Sequence, residues 1–77
     1  MKTSTLTRPE SPRVLSARDQ GRVDWFRKEA RYWRRQAVVI APTFLHVTDA
    51  ARAEFVRNML SYERECLAIV AEIEAQP

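Results

Sequence analysis

Few side chains in this 77-residue chain are equipped for chemistry, and none stands in a catalytic pattern. Cys66 is the one thiol and His46 the one imidazole. A reactive thiolate needs exposure and a cationic neighbourhood. Cys66 instead falls in line with apolar residues at helical spacing and reads as a small buried hydrophobe. His46 has no serine, cysteine or carboxylate spaced around it as a triad or ligand set, and reads as an exposed or capping side chain. One cysteine and one histidine make neither an internal disulfide nor a structural zinc set. No catalytic residue, metal or cofactor is therefore expected.

Two polar sets remain. Arg22, Glu29 and Gln36 recur every seven residues, and Glu63 interrupts an otherwise apolar stretch. Buried charges need partners, and the expected ones lie across a helix pair, Arg22 with Glu63 or Glu65. A pocket for an anionic ligand, built from Arg and Glu on facing helices, is the sharper reading. Enzymes of that kind need more helix than this chain has. The second set is cationic: Arg27, Lys28, Arg31, Arg34 and Arg35, with Trp25 and Tyr32 alongside. It is either an ordinary solvated face or a binding face. Arg beside aromatic rings suits an acidic protein surface or nucleic-acid phosphate. Duplex DNA is the second choice, because no helix-turn-helix spacing is present and acidic residues further along would repel phosphate. Trp25, Arg27, Lys28, Arg31, Tyr32, Arg34 and Arg35 are the expected partner-binding residues.

These groups need helices to position them, and the sequence supplies two. In the first, Val23, Phe26, Ala30, Trp33, Ala37 and Ile40 recur at steps of three and four, one apolar stripe on a helix of 3.6 residues per turn. Trp25, Tyr32 and Val39 form a second, parallel row. Ser16 and Asp19 have the spacing of a capping box, so the helix is expected to begin between Ser16 and Arg22, about residue 18. Pro42 is expected to end it at Ala41, with Ala41 pushed to extended geometry. Residues 42–48 then connect, with Phe44, Leu45 and Val47 capping one end of the core. Thr48 or Asp49 is the next N-cap, and a second helix runs over about 49–75. Its stripe is Phe55, Met59, Tyr62, Cys66, Ile69 and Ile73, widened by Val56, Leu60, Leu67 and Val70. Residues 1–15, rich in Ser, Thr, Pro and Arg, read as a flexible basic arm, with Val14 and Leu15 as a docking foot.

The fold class expected is all-α: an antiparallel helical hairpin over residues 16–77. A chain this short buries only about 60% of its unfolded surface, and small domains need a staple. With no disulfide or metal, the staple left is a partner subunit. Both helices carry more apolar surface than a single seam covers, so two hairpins are expected to pack as a homodimeric four-helix bundle. Phe26, Trp33, Phe55, Met59, Tyr62, Cys66, Ile69 and Ile73 are the expected core and dimer residues.

Net charge is +3, unevenly placed. Residues 22–41 carry six basic groups against Asp24 and Glu29, net +4; residues 42–77 carry three against six acidic groups, net −3. Attraction between the two halves accounts for such asymmetry, as does an anionic partner. Residues 1–11 hold no apolar signal region, and the longest apolar run, residues 37–41, is far below the roughly 20 residues of a membrane span. An unpaired cysteine fits a reducing compartment. A cytoplasmic protein with no membrane contact is expected.

An Arg-rich first helix, the run Ile40-Ala-Pro-Thr-Phe-Leu and the run Ser61-Tyr-Glu-Arg-Glu-Cys together resemble, over about residues 20–75, small phage-encoded helical hairpins that bind host regulators. The likeness is to the quorum-sensing anti-activator type. It implies a dimer that blocks a transcription regulator or another host machine by protein contact. An inhibitory binding protein with no catalysis is the functional expectation, and a basic nucleic-acid-binding accessory protein is the alternative.

Overall fold

The computed structural model describes residues 14–76. All regular structure among them is helical. Helix α1 spans Ala17–Arg35, a π-helical turn covers Gln36–Ile40, a 3-10 turn covers Ala41–Thr43, and helix α2 spans Asp49–Ala75. Residues 1–13 of the basic arm, and Pro77, lie outside the described residues.

Both helix starts follow from their caps. Ser16 is extended, and its hydroxyl accepts from the Asp19 backbone N–H at 3.1 Å. Thr48 is extended too, and its hydroxyl accepts from the Ala51 N–H at 3.0 Å. Each cap satisfies a donor that helical geometry leaves without a partner. Asp19 and Asp49 put negative charge in the two first turns, where the dipole favours it. With the start at Ser16, Gly21 lies inside α1.

The end of α1 departs from expectation. Helical winding does not stop at Ala41, and Ala41 is not extended: its φ and ψ are −55° and −41°, and it is fully buried. The ladder instead widens before Pro42. The Ala41 N–H reaches back five residues to the Gln36 carbonyl. The chain then tightens into the 3-10 turn with Pro42 at its start. A missing N–H costs nothing in the first turn of a helix, because it would have no intrahelical acceptor there. The turn ends with the Thr43 hydroxyl donating to the Ile40 carbonyl at 2.6 Å and the Phe44 N–H to the Ala41 carbonyl at 3.0 Å.

Arg52, in the first turn of α2, locks this end. Its guanidinium donates to the Ala41 carbonyl at 3.3 Å, to the Phe44 carbonyl, and to the Asp49 carboxylate at 3.0 Å. Carbonyls at the end of one helical segment are thus held by a cation on the next, the Ala41 carbonyl accepting from Arg52 as well as from the Phe44 N–H.

The helices pack antiparallel along one narrow seam. The buried residues are Val23, Ala30, Ala37 and Ala41 on the first arm of the hairpin and Met59, Val70 and Ile73 on the second. The alanines let the backbones approach. The larger side chains gather at the open end, where Val23, Val70 and Ile73 form the core cluster with Leu15, Phe26 and Ile69 against it. Leu15 therefore docks as expected, while Val14 is exposed. At the closed end the Phe44 ring meets Phe55 edge-on at 5.1 Å. Leu45 and Val47 do not join it: Leu45 is 80% exposed. A five-residue connector over 44–48 turns only one of its three large apolar side chains inward.

Candidate functional site

One ring contact and two ion pairs divide the hairpin into two broad faces. Trp33 of α1 meets Tyr62 of α2 with ring centroids 5.0 Å apart. Successive helical residues turn about 100°, so the residues just after them, Arg34 and Glu63, point to the other side. They pair there at 3.4 Å. Arg27, two turns before Arg34, joins Glu74 at 2.8 Å on that same side. The expected pairing of Arg22 with Glu63 or Glu65 does not occur; Arg22 pairs with Asp19 on its own helix at 3.3 Å. The register explains this. With Trp33 opposite Tyr62, level positions sum to about 95. Arg22 is then level with Ile73, ten residues and roughly 15 Å from Glu63.

The ring face is an aromatic ladder. Tyr32 stacks edge-on to Trp33 at 4.9 Å and Trp33 meets Tyr62, so three rings cross the face from one helix to the other. Trp25 and Phe26 form a second edge-on pair at 5.0 Å, two turns nearer the open end. Trp25 is 56% exposed, Tyr32 51% and Tyr62 43%. Trp33, Phe26 and Ile69 are half-buried between them. Glu29 and Glu65 lie level on this face.

The opposite face holds the two ion pairs and the surplus apolar residues of α2. There Leu67 is 45% exposed, and Val56 and Leu60 are half-buried. The surplus apolar rows of the two helices therefore do not share a face, contrary to the expectation of one bundle interface built from both. Trp25 and Tyr32 sit on one side of the hairpin, Val56, Leu60 and Leu67 on the other. Residue order turns in opposite senses on two antiparallel helices, which the patterns taken helix by helix do not show.

The cations divide as well. Arg27 and Arg34, expected to bind a partner, are engaged with Glu74 and Glu63. Such exposed pairs are worth about 0–1 kcal/mol, though the Glu63 side chain, at 15% exposed, sits in the firmer setting. Lys28, Arg31 and Arg35 form no ion pair with a described residue. They are exposed on the outer edge and back of α1, beside Trp25 and Tyr32.

Of the residues expected in the core, Met59 and Ile73 are buried, Phe26, Trp33, Phe55, Cys66 and Ile69 are half-buried, and Tyr62 is exposed in the single chain. Burial pushes the Cys66 thiol up from its ordinary range, and the charges of Glu29 and Glu65 push the same way. That disfavours the thiolate. His46 is exposed in the connector. Among the described residues no group of three metal-ligating side chains comes together, and no helix is long and apolar enough to cross a membrane. In the sequence Arg52 stands out only as a charge. Its place one turn after the Thr48 cap, against the end of the preceding helix, was the available signal.

Comparison with known protein families, with functionally described proteins and with solved structures found no match to this chain.

Proposed function

We propose that this chain is a homodimeric helical binding protein that docks onto an acidic surface of another protein and inhibits or modulates it without catalysis. The carrying observation is the row Lys28, Arg31 and Arg35, three cations exposed together on one edge of α1 and without ion pairs to described residues; Arg18, Arg57 and Arg64 are also exposed without one but lie apart from this row, while Arg22, Arg27, Arg34 and Arg52 each have one. Arg31 and Arg35, one turn apart, repel slightly. Folding gains little from them, so their concentration on one edge fits an external anionic partner. The likeness in layout to phage-encoded anti-activators supports a transcription regulator as that partner and the cytoplasm as the place of meeting. The homodimer is supported by the thin seam, in which three of the seven buried residues among those described are alanines. A hairpin held by so little burial leans on a partner subunit.

The test is the double change Arg31→Ala/Arg35→Ala, assayed against the partner captured from the native host's lysate and then purified. The melting temperature should stay within a few degrees, since surface substitutions change stability by about 0.5 kcal/mol or less. Binding should weaken at least tenfold, about 1.4 kcal/mol, and more at low salt than at high. Unchanged affinity would remove this edge from the interface. The nucleic-acid reading is separated by titrating salt on duplex DNA. Log affinity falling steeply and linearly with log salt would favour it.

A further inference from the structure

We infer that the aromatic ladder of Tyr32, Trp33 and Tyr62, with Trp25 beside it, is the surface on which a second copy of this chain packs, with α1 of each copy lying over α2 of the other. The inference rests on the homodimer proposed above and adds its face and orientation. The ring face carries the larger exposed apolar side chains, two tyrosines and a tryptophan, against Leu67 and Val38 on the opposite side. Exposed, pre-stacked Trp and Tyr are the side chains that interfaces bury most effectively.

Charge selects the occupant and its orientation. α1 carries seven basic against three acidic groups, net +4; α2 carries three against six, net −3. Two hairpins can meet through identical faces about a twofold axis in either of two ways. An axis across the helices lays α1 on α1 and α2 on α2, so like charges face each other. An axis along the helices lays α1 on α2, so each helix has only oppositely charged neighbours. It also preserves levels, so positions facing across the interface again sum to about 95. Arg22 of one copy then lies over Glu72 of the other, and Gln36 over Asn58. One meeting of like charge, Glu29 with Glu65, opposes the arrangement and is outweighed by the net attraction of the whole helices.

The test uses the full chain carrying Cys66→Ala as a cysteine-free background. Gln36→Cys chains and Asn58→Cys chains are mixed in denaturant, refolded together and oxidised, and Arg22→Cys with Glu72→Cys serves as a second pair. Circular dichroism confirms that each variant folds, and sedimentation of the background chain is run in parallel. A disulfide-linked dimer in either mixture, absent from each variant alone, is expected. Linkage of Gln36→Cys with itself would place α1 on α1 and overturn the orientation. A dimer by sedimentation that links in neither mixture would move the interface off the ring face. A folded monomer by sedimentation would remove the dimer itself, and this inference with it.

Discussion

Ile73→Ala is expected to destabilise the fold by about 2–5 kcal/mol, the usual cost of truncating a large buried aliphatic. Ile73 is 1% exposed and packs with Val23, itself fully buried, and Val70 in the core cluster of the described residues. The rest of the seam has little to compensate with, since Ala30, Ala37 and Ala41 bury few atoms each. A domain of this length has about 4–12 kcal/mol of stability in all, at roughly 0.05–0.15 kcal/mol per residue. The variant should therefore lose much of its cooperative unfolding transition in urea. A cost below about 1 kcal/mol would mean that the open-end cluster does not hold the hairpin together. Trp33 and Phe55, which the periodicity also puts in the core, are only half-buried in the single chain, so truncating them is a less direct probe of that cluster.

The double change Trp25→Ser/Tyr32→Ser is expected to separate folding from association. Both side chains are half-exposed in the single chain, so the isolated hairpin loses little when they go. In the proposed dimer both are covered by the second copy. Interface aromatics of this kind cost about 2 kcal/mol or more each when truncated. Removing two should raise the dimer dissociation constant at least a hundredfold, about 2.7 kcal/mol. The expected outcome is a monomeric chain that is still helical by circular dichroism but melts at lower temperature than the dimer. A variant that still dimerises with wild-type affinity would exclude the ring face.

What could be read in the sequence was what depends on local chemistry. Steps of three and four between Val23 and Ala37 mark the buried side of α1, and Ser16 and Thr48 mark the helix starts by hydroxyl capping. Arg27 and Arg34 flank the seam on the same periodicity, which is why they find Glu74 and Glu63. Pro42 does not stop the winding, because the rule against proline in an α-helix leaves out a detour. A wider π turn followed by a new 3-10 start lets the chain wind through it. Leu45 and Phe44 are neighbours of similar hydrophobicity, and only the turn geometry decides that Phe44 goes in. The division into faces was hidden for a different reason. It depends on the register of Trp33 against Tyr62, a long-range property that neither helix pattern contains. The candidate site was accordingly legible as a set of residue types, while its division into engaged cations, unpaired cations and an aromatic ladder needed the packed hairpin.

Whether the hairpin is completed by a second copy of itself is read by sedimentation equilibrium of the unmodified chain at micromolar concentration. A single species of twice the 9.0 kDa chain mass is expected, dissociating on dilution to a hairpin that is still helical but melts at lower temperature. A well-folded, non-aggregating species of one chain mass across that concentration range would contradict it.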